Sequence, residues 1–179
     1  MVRIDFSAAF DLVNRQGIHF KLCSVGVGGS VLSVLTQFLS NRSQYVVVDG
    51  CRSKLVNMVS GVPQGSVLGP QLFLLYTAEL FSIVENTLYG YADDSTLVAV
   101  VPSHAEREAV TESMNCDLNR VSVRCDLLGM KLNARKTRIM IVSKSSKIYP
   151  QLTPLTLGGT VLKKSADLVI LGVSFDESY

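Results

Sequence analysis

The chain opens on an alternation, Val2, Ile4 and Phe6 against Arg3 and Asp5, the period of a strand buried on one face. Asp5 is therefore predicted to face away from the core. Ser7 stands where a cap starts a turn or helix through Phe10 to Val13. After Gly17, the positions Ile18, Phe20, Leu22 and Val25 predict a short helix ending near Gly26. A second helix, capped by Ser30, carries Val31, Val34, Leu35 and Phe38 inward. A hairpin follows, with a β-branched run Tyr45–Val48, the turn dipeptide Asp49-Gly50 and a return run from Leu55 to Val59.

From Gly61 to Pro70 the chain reads GVPQGSVLGP, where three glycines and two prolines in ten residues predict a shaped loop. Pro70 suits the first turn of the apolar helix after it. Leu88 to Val101, LYGYADDSTLVAVV, is two β-rich runs meeting at adjacent acids, a hairpin with its tip at Asp93-Asp94. Ser103 and Glu106 have capping-box spacing ahead of a helix on which Val110, Met114, Leu118, Val121, Cys125 and Leu128 recur every three or four residues. Gly129 ends it. Beyond are a loop and strand over Lys131 to Ser143 and two short β segments around Leu155 to Val161 and Leu168 to Phe175. With no internal repeat and no linker, these elements predict one α+β domain over residues 1–179, an antiparallel sheet backed by helices.

Composition narrows the class. The 179 residues suit about one domain, and 47% hydrophobic with 18% charged residues excludes disorder. Seventeen Lys and Arg against 15 Asp and Glu leave a charge of only +2, so any basic footprint for nucleic acid must be local. The four cysteines, at 23, 51, 116 and 125, form no Cys-x-x-Cys pair and have no His at zinc spacing. Together with a strand-like opening in place of a signal peptide, they point to a reducing, intracellular setting with no targeting signal. The most membrane-like stretch, Leu72 to Val84, falls short of the ~20 residues of a span and holds Glu79, so it reads as a buried core helix with no membrane partner.

Three acids interrupt strand patterns: Asp5, Asp93 and Asp94. Strands disfavour Asp. Two carboxylates ~4 Å apart repel by about 1 kcal/mol in water and about 4 kcal/mol at an effective dielectric of 20, so a third nearby calls for a cation. Oxygen ligands without His or Cys favour a hard ion such as Mg²⁺. An Asp-Asp pair in a hairpin tip is also ordinary turn chemistry, and on spacing alone both readings stand.

Five segments carry a family resemblance: DFSAAFD from Asp5 to Asp11, GVPQGSVLGP, YADD from Tyr91 to Asp94, GMKLNARKT from Gly129 to Thr137, and LGV from Leu171 to Val173. In this order, over nearly the whole chain, they resemble the palm motifs of reverse transcriptases, and most of all those of non-LTR retrotransposons of the LINE and jockey kind. The resemblance implies a right-hand polymerase palm, and because the chain departs from the family in carrying only partial fingers and no thumb, it reads as a palm-centred fragment. It implies RNA-directed DNA synthesis from an RNA template, a DNA primer and dNTPs. Two Mg²⁺ ions, or Mn²⁺, would serve as cofactors. It also implies that the missing fingers and thumb, or a longer polyprotein, are needed, and that the protein acts in the nucleus or cytoplasm as a ribonucleoprotein.

Residue by residue, Asp5, Asp93 and Asp94 match the family's catalytic metal-binding triad, with the Phe6 carbonyl as a further ligand. Phe10 matches the aromatic gate that excludes a 2′-hydroxyl by clash. Ala8 and Ala9 match its neighbours at the triphosphate, and Gln64 with Gly65 the residues at the incoming nucleotide and templating base. Lys136 matches the lysine near the pyrophosphate, and Leu171, Gly172 and Val173 the primer grip. Asp11 reads as a helix-start acid. Lys131, Arg135, Lys136, Arg138, Lys144 and Lys147, with no acid among them, form a candidate phosphate-tracking stripe. Two other functions fit the same residues: a non-catalytic truncated relic or nucleic-acid-binding module, and a metal-dependent nuclease using the same carboxylates.

Overall fold

Burial sorts the first strand as its alternation requires, for Val2 and Ile4 are closed to solvent while Arg3 between them is half-exposed. The computed structural model describes residues 1–103, 105–143 and 153–177. They fall into two compact units, Met1–Ser7 with Ala78–Tyr179, and Ala8–Thr77.

In the first unit the described residues form a five-stranded sheet, in the order Lys163–Lys164, Arg138–Ile139, Val2–Ile4, Asp94–Val98, Thr87–Tyr91. Its pairs are antiparallel except the parallel contact between Arg138–Ile139 and Lys163–Lys164. The strand Val2–Ile4 sits in the middle, with Val2 opposite both Leu97 and Ile139. Its inward residues Val2 and Ile4 share the buried core with Leu97, Leu118, Val121, Cys125 and Met140. Each fully buried apolar side chain of this kind contributes about 1.5–3 kcal/mol.

The 21-residue helix Arg107–Leu127 buries Met114, Leu118, Val121 and Cys125, the stripe its spacing predicts, together with Thr111 and Asp117. It closes as Gly129 implies: Gly129 has φ 69°, and the Met130 N–H reaches back to the Cys125 carbonyl at 2.8 Å. Its start differs from expectation. The helix begins at Arg107 with Glu106 as cap residue, and the Ser103 hydroxyl donates to the Glu106 carboxylate at 2.6 Å. A reciprocal capping box needs Ser103 itself at the cap, three residues earlier. The two late β segments are each a hairpin, Thr156–Leu157 with Thr160–Val161 and Asp167–Ile170 with Val173–Asp176.

The second unit holds the helices Ala9–Leu12, Arg15–Ser24, Gly29–Leu39 and Leu68–Thr77. In place of a Ser7 cap, Ala8 precedes the first helix in the left-handed conformation, φ 49°. Asn14 caps the second through its side chain and the Gly17 N–H, and Ile18 and Leu22 are its buried pair. Phe20 is 73% exposed, because a residue two places along a helix lies on the opposite side from Ile18. In the third helix Leu39 is buried, while Val31 and Val34 are exposed rather than inward. Leu32, Leu35 and Leu39 recur at the spacing of one face, about 100° around the axis from the two valines.

The Asp49-Gly50 turn forms as predicted, both residues at positive φ, between Val47–Val48 and Cys51–Arg52. Further from the turn, Ser43–Gln44 pairs with Val56–Asn57. The helix after the glycine-rich loop starts at Leu68, before Pro70, and buries Leu72, Phe73, Tyr76 and Thr77. Ala78–Phe81 then continues as a 3-10 turn in the first unit, so the apolar stretch to Val84 is not one helix. No helix among the described residues is long and apolar enough to cross a membrane.

Candidate functional site

In the first unit, Asp5 follows directly on the central strand. Its backbone N–H donates to the Thr137 hydroxyl at 3.2 Å, and its carbonyl accepts from the Asn133 N–H at 2.8 Å. Thr137 is fully buried and donates to the Asn133 carbonyl, so the turn Asn133–Thr137 closes on itself while holding Asp5. Lys136, on that turn, is exposed and its backbone N–H is held by Asn133. The sequence-predicted residues Asp5 and Lys136 are thus joined through one turn. Phe6, half-buried, pairs with Leu132 on the strand leading into the turn.

The acidic hairpin has its last ladder pair at Tyr91 and Asp94, leaving Ala92 and Asp93 as the two turn residues. The tip therefore lies one residue earlier than Asp93-Asp94, and Asp94 is the first residue of a strand. Ser95, Thr96 and Leu97 are all buried, and it is Leu97, opposite the fully buried Val2, that a one-residue slip would turn away from the core. Ala92 takes φ 52°, a left-handed conformation uncommon for a residue with a side chain. Asp93 is exposed at the tip.

Ile4 stands opposite Ser95 and Arg3 opposite Thr96, so continuing the same register brings Asp5 level with Asp94. Arg3, Asp5, Asp94 and Thr96 then share the sheet face opposite Val2 and Ile4. On that face the Arg3 guanidinium donates to Asp94 Oδ1 at 2.9 Å. Among the described residues no group of three or more His, Cys, Asp or Glu side chains is gathered to hold a metal ion. The donor set suits a hard divalent cation in kind, being all carboxylate, but it is not drawn together and Arg3 occupies one member.

Leu171 and Gly172 form the two-residue turn of their own hairpin, both at positive φ, 51° and 80°, with Val173 opposite Ile170. The basic stripe is only partly outward. Lys131, Arg135 and Lys136 are exposed, while Arg138 is half-buried and donates to the Arg135 and Thr137 carbonyls. Lys144 and Lys147 lie outside the described residues.

In the second unit the Ala8 carbonyl accepts the N–H groups of Asp11 and Leu12, Ala9 is buried, and the half-buried Phe10 ring packs on Phe73 at 4.8 Å with a 33° tilt. Gln64 is exposed and its side-chain amide donates to Asp11 Oδ1 at 2.9 Å. Asp11 thus reaches the glycine-rich loop, and its carbonyl accepts from the Ser60 hydroxyl at 2.8 Å. Gly61, φ 82°, lies so close that a Cβ there would stand 2.8 Å from the Phe10 carbonyl oxygen. Gly65 also takes positive φ, 74°, with open space around it.

Arg3, Arg15 and Asp117, at or beside these segments, give no functional signal in the sequence. Arg15 spreads its guanidinium over the carbonyls of Met58, Ser60 and Gly61, fixing the entry to the loop. Asp117, buried on the long helix, accepts the backbone N–H groups of Glu85 and Asn86 at 2.9 and 2.8 Å, the Asn86 side-chain amide, and Arg120. It fastens the entry to the strand Thr87–Tyr91, which leads to the acidic hairpin.

On this sheet the register sets acidic positions of two adjacent strands level, beside a hairpin tipped with a third acid. The chain belongs to the reverse transcriptase (RNA-dependent DNA polymerase) family, whose model matches residues 1–175. It is similar to the RNA-directed DNA polymerase from mobile element jockey of Drosophila funebris, 28% identical over 98% of this chain and 19% of that protein. It is also similar to the probable RNA-directed DNA polymerase from transposon BS of Drosophila melanogaster, 30% identical over 98% of the chain and 20% of the relative. The Pol polyprotein from the type-1 retrotransposable element R2 of Popillia japonica is 23% identical over 91% of the chain and 28% of the relative. The chain thus spans about a fifth of the length of the first two relatives. The jockey-like non-LTR resemblance carried by the five motifs is borne out.

Proposed function

We propose that residues 1–179 form the palm region of an RNA-directed DNA polymerase of a non-LTR retrotransposon, acting on an RNA template, a DNA primer and dNTPs within a longer protein. The observation that supports this is the register of Ile4 opposite Ser95, which extended by one residue sets Asp5 level with Asp94, beside a hairpin with Asp93 at its tip. Asp5, Asp93 and Asp94, with the Phe6 carbonyl, would hold two Mg²⁺ ions. When bound, such ions lower the pKa of a primer 3′-hydroxyl and neutralise a departing pyrophosphate.

The chain's own residues do the rest. The Asn133–Thr137 turn holds the Asp5 backbone and carries Lys136, a cation for the pyrophosphate. Phe10, braced by Phe73, excludes a 2′-hydroxyl by bulk. Ala8 and Ala9 leave room for the triphosphate, Gln64 and Gly65 meet the incoming nucleotide and templating base, and Leu171–Val173 hold the primer end. The setting is intracellular, in a ribonucleoprotein of the nucleus or cytoplasm.

Primer extension on an RNA template with Mg²⁺, comparing the chain joined to fingers and thumb segments of a jockey-like relative with its Asp93→Ala form, tests the proposal. Incorporation lost in the variant is expected, and no incorporation by the parent chimera would reject it. A second reading, a nucleic-acid-binding module without catalysis, is favoured by the ungathered acids. It predicts salt-dependent RNA binding by a chain that never extends a primer.

A further inference from the structure

Arg3 lies on the sheet face that carries Asp5 and Asp94. The position is opposite Thr96 and about two-fifths exposed. Its guanidinium crosses diagonally from Thr96 to Asp94 Oδ1, at 2.9 Å. Among the described residues, no hydrogen bond or ion pair reaches the carboxylates of Asp5 and Asp93.

We infer that Arg3 is a positioning residue that competes with a divalent cation for Asp94, so that cation binding at the Asp5–Asp94 face requires the Arg3–Asp94 pair to open. This rests on the reading of those acids as cation ligands given above. Two effects add. The ion pair must be broken, which for a part-exposed pair costs less than about a fivefold change in affinity. A fixed positive charge next to a doubly charged ion also repels it, and this holds even in a high dielectric. Together they set an expected gain of about tenfold when the charge is removed.

The site is also kept off by default: with Arg3 on Asp94, the face carries one carboxylate fewer for a stray cation. Opening the pair is the step that a bound nucleotide triphosphate, itself an acceptor for a guanidinium, would favour.

The test is Mn²⁺ binding to the full chain, read by the electron paramagnetic resonance of free Mn²⁺, with no polymerase activity needed. Arg3→Gln and Arg3→Met should each bind about tenfold tighter than the parent. Adding Asp94→Asn to either should cancel the gain. Lys164→Gln, which removes a cation from the separate, exposed ion pair with Glu177, should leave binding at the parent value. Unchanged affinity in both Arg3 variants, or a gain that survives Asp94→Asn, overturns the competition. If binding persists in the parent and is lost in Asp5→Asn under that outcome, the cation-ligand reading still stands. Absence of Mn²⁺ binding from every variant overturns both.

Discussion

Replacing Asp117 by Asn tests how the acidic hairpin is held. The side chain has no exposed surface and accepts four hydrogen bonds, two from the backbone of Glu85 and Asn86, one from the Asn86 amide and one from Arg120. Asn keeps one acceptor oxygen but turns an NH₂ toward a group that is itself a donor, and it removes the charge facing Arg120. A buried donor left unmet costs about 1–3 kcal/mol, and a bond to a charged group is worth about 1.5–3 kcal/mol, so a loss near 3 kcal/mol is expected. With a urea slope of about 1–3 kcal/mol/M, the midpoint should fall by at least about 1 M.

Protonation supplies a control for the same substitution. Burial by itself would raise the Asp117 pKa, but the backbone bonds from Asn86 and Glu85, with the Asn86 amide and Arg120, outweigh it and hold the carboxyl below its usual 3.8. The folded state therefore binds fewer protons than the unfolded one, and Asp117 stabilises the fold above pH 3.8, an advantage lost as pH falls through the lower folded value. Urea titrations at neutral pH and in acid should show parent and Asp117→Asn converging in acid. A gap below about 1 kcal/mol at neutral pH, or one that widens in acid, would refute the reasoning.

In an active assembly Phe10→Val should admit ribonucleotides, and single-nucleotide incorporation assays showing unchanged sugar discrimination would remove the gate assignment. The same change loses the Phe73 contact, so a modest stability loss of about 1–2 kcal/mol should accompany it. Thiol labelling separates the four cysteines: Cys23, Cys51 and Cys116 are exposed, whereas burial, and then Asp126, push Cys125 up to about 12. A maleimide at neutral pH should modify three thiols in the folded chain and the fourth only in denaturant, and fast labelling of Cys125 would contradict its burial.

Period was the most readable feature of this chain. Val2 and Ile4, the Met114 to Cys125 stripe and the Asp49-Gly50 turn all follow from local rules, and all three are found. Less is readable where two periods compete or where an end is not set locally. Ile18, Phe20 and Leu22 alternate, which one helix face cannot bury, and Phe20 is exposed; the cap of the long helix falls at Glu106 and not at Ser103, although the capping-box spacing is present. The glycine-rich loop was legible as shaped, but not its fastening, because Arg15 and Asp11 are more than forty residues from the groups they hold.

The acidic hairpin shows why a motif is read more easily than its geometry. YADD names both acids alike, yet a turn at Ala92 and Asp93 makes them unequal. Asp94 belongs to a strand whose register places Leu97 opposite Val2 in the core, so its side chain is committed to the Arg3 face. Asp93 is at the tip, where no ladder pair fixes its direction. Asp94 therefore gains a partner 91 residues away that no local pattern reveals, whereas Asp93 is exposed in the turn. In this fold the sheet register sets which face Asp94 occupies, and the Arg3 guanidinium is the charge it meets there.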